Sequence, residues 1–275
     1  MTRIAVLQMT SGIDPQENAG VLVEAIAAAA AGGAVMLFTP EMSGLIDRDR
    51  KRAASHIVAE DEDRVLDAVR NRAAQAGVWV ALGSLAVKGT DGQAEGRLAN
   101  RSFVIDATGA IVARYDKMHM FDVDLATGES WRESRAYAPG SQAVTCRTPV
   151  GRLGLAICYD IRFPAYFHAL GRKNCDVIAI PAAFTVPTGK AHWHLLQRAR
   201  AVESSAYVVA AAQVGKHADG RETYGHSLVV DPWGDVILDM GGERAGLAFA
   251  QIDPARIAEV RAQLPSLANR REIPT

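Results

Sequence analysis

Short runs apolar at every position, Ile4–Leu7 and Val177–Ile180 among them, alternate with helix-length amphipathic segments along this 275-residue chain. That alternation limits the fold more than any other feature, because a strand apolar on both sides must be covered on both sides, as parallel strands in βαβ units are. The pattern predicts strands at Arg3–Gln8, Ala34–Phe38 and Val78–Leu85, separated by helices at Pro15–Ala31 and Asp61–Ala76. Asp14 is placed to cap the first helix, with Pro15 at its first position, and Gly77 to end the second. Arg101–Asp106 and Ala110–Tyr115 then pair as a hairpin around Ala107-Thr108-Gly109.

The same order returns: strand Arg152–Ile157, helix Pro164–Gly171, strand Val177–Ile180, helix Ala191–Ser205 and strand Tyr207–Ala212. A hairpin of His226–Asp231 and Asp235–Asp239 follows, then strand Leu247–Ile252, helix Pro254–Gln263 and an extended polar tail from Pro265. Each half reads β-α-β-α-β-β-β without a sequence repeat. Two mixed sheets stacked face to face, with helices outside each, cover every apolar face, so the expected class is α/β. No linker rich in Pro, Gly or Ser separates the halves, and one domain over 1–275 is expected. The stretch 83–98 is rich in glycine and charge, and the sequence does not say whether it closes over a pocket.

Composition excludes several function classes. Lys and Arg number 30 against 31 Asp and Glu, a net charge of −1, which argues against a general nucleic-acid binder. The basic run Arg48–Arg52, interrupted by Asp49, reads as a solvated loop. The most apolar stretch, Ala25–Phe38, contains Gly32 and Gly33 and is shorter than the roughly 20 residues a bilayer span takes. The first residues lack a secretory signal pattern. Cys146, Cys158 and Cys175 show no CxxC spacing, the mark of reduced thiols in a cytoplasmic protein.

Sites on parallel sheets lie beyond the carboxyl ends of strands. Three such ends carry reactive side chains: Glu41 after Phe38-Thr-Pro, Lys117 after Tyr115-Asp, and Cys158 after Ala156-Ile. A nucleophile, a carboxylate base and an ammonium suit acyl transfer. Each also has a bland reading: an inert core thiol, a surface glutamate and a surface lysine. The pairing differs from the Cys–His pair of a cysteine protease.

The segments Phe38–Glu41, Asp116–His119 and Gly154–Pro164 resemble the three signature regions of the nitrilase superfamily of carbon–nitrogen hydrolases, in the order Glu, Lys, Cys. Within it the chain most resembles the deaminated glutathione amidase branch. That likeness rests on Cys158-Tyr-Asp-Ile-Arg-Phe-Pro164, on Gly189-Lys-Ala-His-Trp193 with Arg198-Ala-Arg-Ala-Val-Glu203, and on Tyr224-Gly-His-Ser-Leu-Val-Val-Asp-Pro-Trp-Gly234. The resemblance implies a four-layer α-β-β-α sandwich. It implies Glu41 as general base, Lys117 as oxyanion stabiliser, Cys158 as nucleophile, and Glu133 as a second glutamate beside them. It also implies a homodimer or larger homo-oligomer and a small-molecule amide substrate, with no nucleic acid, membrane or cofactor.

The backbone N–H of Tyr159 is placed to assist Lys117, and Arg162 to grip an anionic acyl group with two hydrogen bonds. The bland reading of Arg162 is a structural salt bridge, to Asp160 or to a partner chain. Phe184 and Thr185 stand at another strand end and are expected to line the pocket, whereas His226 reads as a buried hydrogen-bonding residue. His192 and His194 project differently from one helix and make poor joint metal ligands. The activities to be told apart are cleavage of deaminated glutathione and an ω-amidase action on α-ketoglutaramate. Tyr224 before Gly-His-Ser and Asp231-Pro-Trp-Gly after it favour the first. A true nitrilase belongs to another branch, and a non-catalytic interaction protein would not need the four reactive residues.

Overall fold

The computed structural model describes residues 1–89, 96–126, 128 and 130–271. The first half runs β1 (Thr2–Gln8), α1 (Pro15–Ala31), β2 (Met36–Phe38), α2 (Arg50–Ala54), α3 (Arg64–Ala76), β3 (Trp79–Lys88), β4 (Leu98–Ile105) and β5 (Ile111–Asp116). A small excursion, β6 (Asp122–Asp124) and β7 (Ser130–Arg132), leads to β8 (Thr145–Thr148) and β9 (Gly151–Leu155). Then come α4 (Pro164–Arg172), β10 (Val177–Ala179), α5 (Val186–Ser204) and β11 (Tyr207–Ala210). The chain closes with β12 (Val214–Lys216), β13 (Glu222–Tyr224), β14 (Leu228–Val230), β15 (Val236–Asp239), β16 (Gly246–Ile252) and α6 (Pro254–Gln263).

Two six-stranded mixed sheets result, ordered β16-β1-β2-β3-β4-β5 and β15-β14-β11-β10-β9-β8. Both follow one plan: three parallel strands, an antiparallel hairpin on one side and a single antiparallel strand on the other. The second half takes its single strand, β8, from just before β9. The first takes β16 from the far end of the chain.

Alternation along the strands sends Ile4, Val6, Met36 and Phe38 into one core with Leu153, Leu155 and Val177 of the facing sheet. Ala5, Leu7 and Leu37, with the opposite parity, pack with Leu22 and Ile26 of α1 and with Val69 of α3. Phe167 of α4 and Trp193 of α5 are fully buried beside the second sheet. The order is helix, sheet, sheet, helix, as the two-faced strands demand.

Local chemistry fixes the helix ends. The Asp14 carboxylate accepts from the Gln16 N–H with Pro15 in the first turn, and Gly77 ends α3 at φ 66°. Several expectations need correction. The run Arg48–Arg52 is not a plain loop: Asp49 caps the short α2 through the N–H groups of Lys51 and Arg52. Helix α5 begins at Val186 rather than Ala191, because Thr185 is extended and Pro187 suits a first turn. In the tail, residues 265–270 are not extended, since Asn269 N–H donates to Pro265 O and Arg270 donates to His168 O, while 272–275 lie outside the described residues. Of the stretch 83–98, residues 83–88 belong to β3 and Leu98 opens β4, while 90–95 lie outside the described residues. Among the described residues no helix is long and apolar enough to cross a membrane.

Candidate active site

The carboxyl ends of the parallel strands in both sheets open at one end of the gap between them. Glu41 stands three residues after β2, on a turn pressed against β3. A Cβ on Gly83 would lie 2.1 Å from Thr39 O and 2.2 Å from Pro40 O, so this close approach needs glycine. Gln213 Nε2 donates to Glu41 O at 2.9 Å and holds the turn from the second sheet's side. Glu41 Oε1 accepts from Lys117 Nζ at 3.0 Å and from Asn100 Nδ2 at 2.9 Å, and Oε2 accepts from Ala183 N–H at 2.9 Å. Lys117 enters directly after β5, its own N–H bonded to Asn100 O. Glu133, in the turn after β7, lies 2.9 Å from Lys117 Nζ and accepts from Phe121 N–H at 2.7 Å. Lys117 thus sits between two carboxylates, and Asn100 donates to both of them.

Cys158 opens a tight 3₁₀ turn, Cys158–Arg162, with φ 47° in the left-handed region that non-glycine residues enter at a cost of about 1–3 kcal/mol. Its N–H donates to Pro181 O. The turn is held by Asp160, fully buried, which accepts from Ile157 N–H at 2.9 Å, Tyr115 OH at 2.7 Å and His119 N–H at 3.0 Å. Tyr115 and His119 stand two residues either side of Lys117. Asp160 therefore fastens the cysteine turn to the lysine segment and is not the salt-bridge partner that the bland reading of Arg162 offered.

Charge is distributed unevenly among these buried groups. Burial alone would raise the Glu41 carboxyl, but the charge and hydrogen bond of Lys117, aided by Cys158 and Asn100, hold it below its ordinary value. Burial opposes the Lys117 ammonium, yet Glu133 and Glu41 keep it well above its usual value. Burial, first, and the charge of neighbouring Glu41 push the Cys158 thiol well up. At rest the proton stays on sulfur and Glu41 stays ionised. A poised base faces a protonated nucleophile.

The remaining expected residues occupy several places. Tyr159 meets Phe121 edge-to-face at 5.0 Å. The half-buried Arg162 lies 5.3 Å over the Phe184 ring and 5.8 Å over the Tyr159 ring, and its Nη1 is 3.3 Å from His192 Nδ1. Among the described residues it forms no ion pair. Phe184 packs on Trp193 and Thr185 bonds to Thr188 at the start of α5, so in this region it is Ala183 that reaches Glu41. His226 is only half-buried; its Nδ1 and His194 Nε2 both bond to Asp239, away from the His192 contact. Sequence reasoning passed over Asn100, Ala183 and Gln213, and it named Asp160 only as a candidate partner of Arg162. For Asn100 the available signal was a polar residue in a strand, Leu98–Ile105, whose neighbours are mostly buried.

A model of the carbon-nitrogen hydrolase family matches residues 3–262. The chain belongs to that family. It is 38% identical over 269 residues to the deaminated glutathione amidase of Homo sapiens, covering 98% of this chain and 82% of that one. The NitFhit protein of C. elegans superposes with a TM-score of 0.88 at 36% identity, covering 98% of this chain and 65% of that longer one. An amidase from Nesterenkonia superposes with a TM-score of 0.80 at 25% identity over 98% of this chain and 94% of that one. In that structure the acetamide moiety of fluoroacetamide is covalently added at the active-site cysteine. This carbon–nitrogen hydrolase is a cysteine-dependent amidase of the nitrilase superfamily, with that superfamily's stacked-sheet fold.

Proposed function

We propose that the enzyme hydrolyses deaminated glutathione to 2-oxoglutarate and cysteinylglycine, with Glu41, Lys117, Cys158 and Glu133 as its catalytic residues. The observation that carries this reading is the clustering of one ionised carboxylate, one ammonium and one protonated thiol, each supplied by a distant segment. As Cys158 Sγ attacks the amide carbonyl, Glu41 takes its proton. Charge then gathers on the carbonyl oxygen, where Lys117 Nζ and the Tyr159 N–H receive it; one such donor is worth roughly 2.7–4 kcal/mol. Glu41 passes the proton to the leaving nitrogen, the carbon–nitrogen bond breaks and a thioester remains. Glu41 next deprotonates water, which attacks the thioester, and the proton returns to sulfur as the acid leaves. Glu133 holds Lys117 and, through Phe121 and Asn100, keeps its place when Glu41 is neutral. Arg162, without an ion-pair partner among the described residues, receives the carboxylate of the acyl group.

The second reading, an ω-amidase acting on α-ketoglutaramate, shares every step with ammonia as leaving group. Measured kcat/KM values for the two substrates, with simple ω-amides as controls, decide the matter. A clear preference for α-ketoglutaramate overturns the first reading.

A homo-oligomer is part of the proposal, supported by exposed Leu195 and Val202 on α5 beside exposed Trp233 and Ile237 of the β14–β15 hairpin. A reducing, cytoplasmic setting is supported by three unpaired cysteines, the nucleophile among them.

A further inference from the structure

Two arginines from separate loops converge on one indole. The guanidinium of Arg48 lies 5.4 Å from the Trp131 ring centre and that of Arg221 lies 5.1 Å from it. Trp131 belongs to an aromatic wall that starts at the nucleophile: Tyr159 follows Cys158, Phe121 meets Tyr159 at 5.0 Å, and Trp131 meets Phe121 at 6.2 Å. The same Phe121 donates its N–H to Glu133, so the wall is anchored to the catalytic cluster. Burial first, then the charges of Glu133 and of Arg221, act on the Tyr137 hydroxyl, which also feels Glu41 and Lys117. Arg221 and the catalytic charges therefore border one region.

The charges at this outer end are incompletely matched. Asp47 is engaged by Arg52 at 2.6 Å and Asp219 by Arg221 at 2.9 Å, while Arg48, exposed, forms no ion pair among the described residues. The Trp131 Nε1–H is buried and has no hydrogen-bond partner there. An unpaired guanidinium, a second one with donors to spare and an idle indole N–H are what a carboxylate requires. At the other end of the wall stands Arg162, above Tyr159 and Phe184.

We propose that Arg48, Arg221 and Trp131 form a subsite for a carboxylate on the amine side of the scissile bond. The enzyme is then built for amides charged at both ends, Arg162 taking the acyl-side carboxylate and the arginine pair that of the leaving group. This inference rests on the proposed cleavage of a peptide-bearing amide. It gives a reason for preferring deaminated glutathione, whose leaving group ends in a carboxylate, over α-ketoglutaramate, which releases ammonia.

The test compares 2-oxoglutarate release from deaminated glutathione and from the same compound with its terminal carboxylate replaced by a carboxamide. Wild-type enzyme should favour the carboxylate form by about ten- to a hundredfold in kcat/KM, the size of a charged hydrogen-bond contact. In Arg48→Ala, a surface change that should spare folding, and in Arg221→Gln that ratio should fall towards one, mainly through a higher KM for the carboxylate form. A wild-type ratio near one, or an unaltered ratio in both variants, refutes the subsite. Failure of wild type to cleave deaminated glutathione while it turns over α-ketoglutaramate refutes the underlying functional reading instead.

Discussion

Replacing Lys117 by methionine tests whether the cluster is held by opposite charge. The ammonium is 2% exposed and lies 3.0 Å and 2.9 Å from Glu41 and Glu133. Without it the buried carboxylate of Glu41 and the half-buried one of Glu133 share a space with the neutral donor Asn100. Removing one partner of a buried ion pair typically costs 3–5 kcal/mol. With an m-value of about 3 kcal/mol/M, that lowers the urea midpoint by about 1–1.7 M. The pH dependence identifies the cause. In wild type, Glu41 is held below its unfolded value, so its stabilisation is present above that value and is lost as pH falls through the folded one. In the variant burial of Glu41 is no longer opposed by the ammonium and raises its carboxyl, so the folded state gains protons on acidification. The penalty should be largest at pH 8 and shrink steadily towards pH 5. Urea unfolding at four pH values, with the Lys117→Met/Glu133→Gln double variant as a partial rescue, measures it. A deficit equal at every pH, or no rescue, would mean lost packing and refute the charge argument.

Cys158→Ala should lower amide turnover by about 10⁴–10⁶-fold and abolish the acyl adduct seen by intact mass in wild type. Because Glu41 is held below its ordinary 4.5, the acid limb of the kcat/KM profile should lie below pH 4.5; a limb above pH 5.5 contradicts that assignment. Asp160→Asn weakens the tie between the cysteine turn and the lysine segment and should cost about 1–3 kcal/mol in chemical denaturation, with a fall in kcat. Gly83→Ala forces a methyl into the carbonyls of Thr39 and Pro40, so kcat should drop through displacement of Glu41 while the binding of an unreactive analogue changes less.

The helices and central strands could be read from the chain because their determinants are local. Asp14 and Pro15 begin α1, Gly77 ends α3, and Pro254 opens α6 after the Asp253 cap. Strands β6, β7, β12 and β13 escaped notice since three-residue ladders without two-faced apolarity leave no periodic signal. Strand β8, on a sheet edge with no buried residue, was silent for the same reason. Glu41, Lys117 and Cys158 stood out by chemistry and strand-end position, and the family resemblance joined them. Asn100 showed only as a polar residue inside a strand, because its value comes from carboxylates 59 and 33 positions away. Asp160 entered only as one option for pairing Arg162, whereas its distant partners, Tyr115 and His119, come from the lysine segment.

Strand β16, far from β1 in sequence and yet its sheet neighbour, makes assembly of that layer wait for residues 246–252. A ribosome that has released β1 through β5 holds a sheet with one edge of β1 open, and the Gln8 amide lacks the Gly241 and Arg244 carbonyls it will meet. The C-terminal layer, contiguous from β8 to β15, has all its strands in hand earlier. Nascent chains stalled before residue 246 should therefore protect the second sheet from protease sooner than the first, though the first is made earlier.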